Sequence, residues 1–184
     1  MVGRNLFAEY SVMRQLKEYD RHKPCVFISH SSRDKEAARK VAKVITDADL
    51  NIYFDENDEK LRQAASHGED EAIVACIHDG LAKSTHALCL ISANIVSSQW
   101  VPYEVGYSVA QEHELALLIL KEVESLASFY TVASTLCNQE ELRDYVISLC
   151  TEGHIPFSEV ERAVQTALIG VGTILRSSGR PVFR

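Results

Sequence analysis

The sequence VFISHSSRD at residues 26–34 decides the fold of this chain. Its first residues, 26–28, are a short apolar run that is typical of a buried strand. The serines and the aspartate that follow supply the polar side chains that favour the start of a helix. Apolar residues then recur at helical spacing over residues 37–45, so the stretch predicts a strand, a turn and a helix in that order.

The same pattern repeats along the rest of the chain. Further strands are predicted at residues 50–54, 87–91, 115–120 and 130–132, and helices at residues 72–81, from about residue 99, and at 139–149. Apolar strands that alternate with amphipathic helices indicate a parallel sheet with both faces covered. We therefore predict a three-layer α/β fold of the flavodoxin-like kind, with five parallel strands in the order 2-1-3-4-5. Additional helices are expected at residues 5–20 and 158–175.

Composition excludes several classes of protein. A length of 184 residues with 46% hydrophobic content suits one globular domain with a substantial core. A net charge of −7 without a basic stripe argues against a nucleic-acid partner. No apolar run approaches the roughly 18 residues that a membrane span needs, and the N-terminus lacks the apolar segment of a signal peptide, so no membrane partner is expected.

The cysteines predict a reducing compartment. There are five, which is an odd number, and they lie scattered at Cys25, Cys76, Cys89, Cys137 and Cys150. No Cys/His cluster has the spacing of a metal site. We predict a reduced cytoplasmic protein without a structural metal.

The topology predicts where a ligand would bind. In an open parallel sheet, ligands bind beyond the carboxyl ends of the strands, at the point where the winding reverses. For this strand order, that point lies between the first and third strands, so the loops at 29–34 and 92–98 border the crevice. The second loop leads into the helix that carries Glu104, and the long loop at 55–70 flanks the same rim.

Four side chains are thereby brought to one crevice, namely His30, Ser31, Trp100 and Glu104. Trp100 and Glu104 are four residues apart on one helix and share a face. Tyr107 is three residues beyond Glu104. An indole beside a carboxylate provides a stacking surface next to a negative charge.

Each of these residues also has a purely structural interpretation. Ser31 and Ser32 suit helix caps, and His30 suits the end of a strand. Tyr103 and Tyr107 suit packing of the core or its rim. The residues alone leave these alternatives open.

Taken in order, these segments resemble a TIR domain, particularly the bacterial type that stands alone. The resemblance covers residues 24–150. Residues 27–31 (FISHS) resemble the first box of the family, and Phe54-Asp55 followed by Gly68 resembles its second strand and the loop after it. Residues 98–107 (SQWVPYEVGY) resemble the helix with its tryptophan-to-glutamate signature.

Two departures from the family pattern concern ligand contacts. The loop after the second strand lacks the acidic-to-Gly-Pro pattern of receptor-type TIR domains. The first box has Ser31 and Ser32 where some relatives have arginines. On this resemblance we expect a helix at residues 1–23, the TIR domain at 24–152, and a helix and tail at 153–184.

The resemblance implies cleavage of the bond between nicotinamide and ribose in NAD⁺. Glu104 is then the catalytic residue. No cofactor is implied, because NAD⁺ is the substrate. The substrate-binding residues implied are Ser29, His30, Ser31, Phe54, Gly68, Trp100, Tyr103 and Tyr107.

The resemblance also implies a product and partners. Small bacterial TIR proteins of this kind release a cyclic ADP-ribose isomer as an antiphage immune signal, which activates a separate effector. Self-association through TIR surfaces is expected as well. Three alternatives stay open: a non-catalytic TIR–TIR adaptor or a virulence mimic of one, a plain NAD⁺ hydrolase that depletes NAD⁺, and an enzyme like the nucleoside deoxyribosyltransferases.

Overall fold

The computed structural model describes residues 23–54, 67–98, 100–176 and 179–184. Its strands are Cys25–Ser29 (β1), Asn51–Tyr53 (β2), His86–Ile91 (β3), Glu114–Ile119 (β4), Ser125–Leu126 (β5), Ser134–Leu136 (β6) and Val182–Phe183 (β7). Its α-helices are Lys35–Asp47 (α1), Asp70–Ala82 (α2), Trp100–Ala110 (α3), Gln139–Glu152 (α4) and Phe157–Val171 (α5). None of these helices within the described ranges is both long and apolar enough to cross a bilayer.

Five strands form one parallel sheet in the order β2-β1-β3-β4-β6. This confirms the predicted order, since the fifth strand of the sheet is the sixth along the chain. β1 and β3 are neighbours, and Ser29, the last residue of β1, pairs with Cys89. The reversal of winding therefore lies between these two strands, at the edge where both have their carboxyl ends.

The strands alternate their side chains between two apolar layers, as the twofold period of a strand requires. On one face Val26, Ile28, Leu88 and Leu90 pack in a cluster that includes buried residues of α1, α4 and α5. On the other face, Phe27 and Cys89 belong to two smaller clusters that include buried residues of α2 and α3. The fold thus has the three layers that the apolar strands predicted.

The predicted position of the fifth strand is wrong. Residues 130–132 lie within a 3₁₀ segment, Ser128–Val132, and the strand that pairs with β4 is β6 at Ser134–Leu136. β6 lies at the edge of the sheet and is at least partly exposed, so its sequence is short and half polar. Tyr130 instead inserts its ring into a core cluster, which explains the apolar character of the segment.

Helices were predicted at both ends of the chain, and the described residues include the C-terminal one. The C-terminal helix ends at Val171, earlier than the predicted residue 175, because Leu175 forms an antiparallel bridge with Leu120 of the sheet layer. The segment that follows ends in β7, which pairs in parallel with β5. The helix predicted at residues 5–20 and most of the loop predicted at 55–70 lie outside the described residues.

Gly80 lies where α2 packs tightly against Tyr53 of β2, which yields a test of this packing. A Cβ atom at this position would lie 2.4 Å from Cε1 of Tyr53. The Tyr53 ring is buried and stacks on Phe27 with centroids 5.7 Å apart, so it has little room to move. We expect Gly80→Ala to lower the free energy of unfolding by about 1–3 kcal/mol in urea titrations.

Gly170 is the matched control, since it also lies in a helix and a Cβ there would meet nothing within 4 Å. Gly170→Ala should raise the free energy of unfolding by about 0.5–1 kcal/mol, because alanine restricts the unfolded chain more than glycine does. Equal effects of the two substitutions would contradict the close packing of α2.

Candidate active site

The two loops at the carboxyl ends of β1 and β3 are tied together by one buried carboxylate. Asp34 ends the 3₁₀ turn Ser32–Asp34 that precedes α1, and its side chain is 9% exposed. Ser92 Oγ donates a hydrogen bond to Asp34 Oδ2, and Asn94 Nδ2 donates to Asp34 Oδ1 at 2.7 Å. Charge-assisted bonds of this type are about twice as strong as neutral ones, so they hold the walls of the crevice in place.

Glu104 is the second buried carboxylate at this edge of the sheet. It lies in the middle of α3, is 7% exposed, and accepts a hydrogen bond at Oε2 from Ser29 Oγ. Ser29 and Glu104 are 75 positions apart in sequence. The predicted meeting of the first strand and the signature helix therefore occurs as a direct contact between these two side chains.

The charge of Glu104 affects the neighbouring thiol of Cys89. It pairs with Ser29 in the sheet and is fully buried. Burial raises the pKa of the Cys89 thiol far above its usual range, and the negative charge of Glu104 raises this pKa further. A hydrogen bond with Ser29 acts in the opposite direction and is outweighed. Cys89 therefore stays a neutral thiol and is unsuited to nucleophilic catalysis.

The local sequence explains why α3 presents Glu104 inward. Ser98 Oγ accepts a hydrogen bond from the Val101 N–H at 3.3 Å, which satisfies one of the free donors of the first turn. Val101, Glu104, Val105 and Ser108 are the buried residues of the helix and recur at three- and four-residue spacing. Glu104 thus occupies a position on the core-facing side of α3 that would ordinarily be apolar.

The aromatic residues of α3 form a stripe beside Glu104. Trp100 and Tyr103 meet edge to face with centroids 6.1 Å apart, and Tyr103 and Tyr107 lie parallel at 6.4 Å. His78 of α2 stacks on Tyr107 at 4.0 Å, and its Nε2 lies 2.6 Å from Tyr103 Oη. The three predicted aromatics are therefore adjacent, and they pack against α2.

Trp100 is half-buried and packs against the cluster that contains Phe27 and Tyr53. It is thus part of the core on one side. Its position one helical turn before Glu104 keeps it on the side of the helix that carries the carboxylate.

The other predicted residues lie at the same edge of the sheet, where Ser31 and Phe54 are buried and Phe54 packs in the core cluster that contains Val26. His30 directly follows β1, Phe54 directly follows β2, and their ring centroids are 5.2 Å apart. Ser31 Oγ accepts from the Arg33 N–H at 3.5 Å, so this hydroxyl acts as a cap of the 3₁₀ turn. Gly68 has a φ of +69°, a conformation that favours glycine, just before α2 begins.

Sequence reasoning missed several residues that build the crevice. The sequence predicts only a helix cap at Asp34, whereas in the structure Asp34 accepts from Ser92 and Asn94 of the neighbouring loop. His78 received no role, yet it stacks against the aromatic stripe of α3. The position of Ser92 directly after the third strand was the available signal, while nothing in the sequence linked His78 to Tyr103 and Tyr107.

The chain belongs to the TIR domain family. Residues 26–154 match the family description TIR domain (TIR_2), which accounts for most of the chain and includes the crevice and all of the residues described above. The five-stranded parallel sheet with helices on both faces agrees with this membership.

A curated relative is the 2′ cyclic ADP-D-ribose synthase AbTIR of Acinetobacter baumannii (strain 1295743). It is 28% identical to this chain over 110 residues, which are 58% of this chain and 36% of the relative. The match therefore spans about a third of the length of that protein.

The Asp34 contacts yield a test of the crevice. Asp34→Ala and Ser92→Ala should each lower the free energy of unfolding by about 1–3 kcal/mol, because each leaves a buried polar partner unsatisfied. The double variant should lose less free energy of unfolding than the two single variants added together, with a coupling energy of about 0.5–3 kcal/mol in urea titrations. Strict additivity would show that the two loops are not held by this contact.

Proposed function

We propose that this chain cleaves NAD⁺ at the bond between nicotinamide and ribose, with Glu104 as the catalytic residue. The observation that carries the proposal is the buried Glu104 carboxylate, which accepts from Ser29 at the carboxyl edge of a TIR-domain sheet. Burying a carboxylate costs several kcal/mol even after relaxation. A position that could hold an apolar side chain instead carries a charge, which is what a site that stabilises a cation requires.

The chemistry needs one fixed negative charge. Nicotinamide leaves a cationic pyridinium as a neutral molecule, so no general acid has to protonate it. The ribose passes through a state that resembles an oxocarbenium ion, as in glycoside hydrolysis. A preorganised charge at such a centre contributes about 3–4 kcal/mol to the lowering of the barrier. Ser29, by fixing Oε2 of Glu104, keeps that charge in one place.

Substrate contacts are proposed on both sides of Glu104. Trp100 and Tyr103 offer ring faces and edges, and Tyr103 is 37% exposed, so part of the stripe is accessible to a ligand. His30 and Ser31 would bind ribose and phosphate oxygens, and Phe54 and Gly68 would shape the same side of the site. Their position at the carboxyl ends of β1 and β2 supports this assignment.

The product that we propose is a cyclic ADP-ribose isomer. Attack by a hydroxyl group or an adenine nitrogen of the same molecule closes a ring, whereas attack by water gives linear ADP-ribose. An apolar wall that excludes water favours the internal nucleophile. Two facts support this choice: the aromatic stripe lies next to Glu104 on α3, and the relative AbTIR is named as a 2′ cyclic ADP-D-ribose synthase.

The biological role that we propose is antiphage signalling in the cytoplasm. The released cyclic nucleotide would activate a separate effector, and self-association through TIR surfaces would assemble the active form. Membership of the TIR domain family supports self-association in general.

The first functional test replaces the charge and keeps the shape. Glu104→Gln should abolish nicotinamide release from NAD⁺, measured by chromatography, because the amide cannot stabilise a developing cation. Its carbonyl oxygen can still accept from Ser29, so the melting temperature should change little.

Glu122→Gln is the control for Glu104→Gln, since Glu122 is an exposed glutamate between β4 and β5 and the change in net charge is the same. This variant should release nicotinamide like the wild type. Full activity of Glu104→Gln would refute the catalytic assignment, and no release by the wild-type chain would favour the adaptor alternative.

The second functional test identifies the product. Incubation with NAD⁺ followed by chromatography with mass detection should show a substantial share of product that is one water lighter than ADP-ribose. Linear ADP-ribose as the sole product, formed together with nicotinamide, would leave plain NAD⁺ hydrolysis and reject the signalling role.

A further inference from the structure

A second cluster of polar side chains lies at the opposite edge of the sheet, away from the crevice. His86 is the first residue of β3, Glu114 is the first residue of β4, and the two are paired in the sheet. Glu152, the last residue of α4, completes the cluster. One side-chain nitrogen or oxygen from each residue lies within 4.8 Å of the other two.

The contacts around Thr85 orient the ring of His86. Thr85 Oγ1 accepts from the Cys25 N–H at 3.0 Å and also lies 3.2 Å from the Cys25 carbonyl oxygen. His86 Nδ1 lies 2.8 Å from the same oxygen, which fixes the orientation of the imidazole ring. The other ring nitrogen, Nε2, then lies on the side of the two glutamates. Metal-binding histidines are commonly oriented by such a bond at the other nitrogen.

The distances within the cluster suit a shared metal ion. His86 Nε2 lies 3.5 Å from Glu114 Oε2 and 3.2 Å from Glu152 Oε2. Nε2 makes no hydrogen bond within the described part of the chain, although His86 is only 4% exposed. Two ligands held tetrahedrally by Zn²⁺, each about 2.0–2.1 Å from the metal, are about 3.4 Å apart, which matches both separations.

The surroundings of the cluster supply negative charge and an open side. The two carboxylates supply a charge of −2, which a divalent cation neutralises. Glu114 and Tyr145 also line a cleft of about 410 Å³ together with Ser134 and Ser148. The Tyr145 hydroxyl is buried and makes no hydrogen bond to any described residue. Burial raises the pKa of Tyr145, and the negative charges of Glu152 and Glu114 raise this pKa further, so the hydroxyl lies within electrostatic range of both carboxylates.

We propose that His86, Glu114 and Glu152 bind one Zn²⁺ ion, with a water molecule from the cleft as the fourth ligand. Nitrogen and carboxylate oxygen donors in a tetrahedral arrangement suit zinc better than magnesium or calcium, which prefer six or more oxygens. The metal joins the amino ends of β3 and β4 to the carboxyl end of α4. It lies about 10 Å along β3 from Cys89, at 3.3 Å per residue, so it takes no part in the chemistry at Glu104.

The test measures zinc binding directly. The untagged chain, stripped with a chelator and dialysed, is titrated with ZnCl₂ in a calorimeter, and its melting temperature is recorded with and without the metal. We expect one zinc ion per chain and a higher melting temperature in its presence. In the Glu114→Gln/Glu152→Gln double variant, we expect the affinity to fall by more than about 100-fold, since even outer-shell partners are worth about 10–100-fold.

The side chains of Glu114 and Glu152 are 76% and 45% exposed, so neither is a core residue and the double variant should fold. The control is Glu122→Gln/Glu140→Gln, which removes the same charge from two exposed positions and should bind zinc like the wild type. Co²⁺ in place of Zn²⁺ should give a spectrum without a thiolate charge-transfer band. The proposal is overturned if no stoichiometric zinc binds, if the Glu114→Gln/Glu152→Gln variant binds it equally well, or if the cobalt spectrum shows cysteine ligands.

Discussion

The hydrogen bond from Ser29 to Glu104 is the contact on which the crevice depends. A carboxylate taken out of water is tolerated only where donors meet it, and the donor here is the last side chain of β1. For that contact to form, β1 must lie beside β3, and α3 must pack over the face of the sheet that carries Cys89. The contact between Ser29 and Glu104 therefore depends on the strand order, on the alternation of side chains along the strands and on the position of α3.

The two edges of the sheet differ in chemistry because parallel strands present all their carboxyl ends on one side. At the carboxyl edge, Glu104 and Asp34 are buried and satisfied by hydroxyl and amide donors. At the amino edge, His86 meets one mostly exposed carboxylate and one that is 45% exposed, with no hydrogen bond to its Nε2 among the described residues. The first arrangement favours a fixed negative charge in a dry site, and the second favours a cation at the surface.

Much of the fold follows from local pattern. The apolar runs at β1, β3 and β4 are buried on both faces, so their strand character and parallel pairing were predictable. The edge strand β6 was not predictable, because Ser134–Leu136 is partly exposed and has no apolar run. The segment at Tyr130 is more apolar because the Tyr130 ring is buried in a core cluster, and this favours a strand there. Topology places Ser29 and Glu104 at one edge of the sheet, so their proximity was predictable. The direct hydrogen bond between them was not predictable.

The sequence by itself determined the class of fold, the edge at which a ligand would bind and the signature of Trp100 and Glu104 on one helix face, because these depend on periodicity and on the order of the elements. Only the tertiary structure decided which side chains meet across that edge. Asp34 with Ser92, His78 with Tyr107, and His86 with Glu152 are 58, 29 and 66 positions apart. Such contacts depend on the rotation and depth at which each helix packs on the sheet, and no local pattern encodes those quantities.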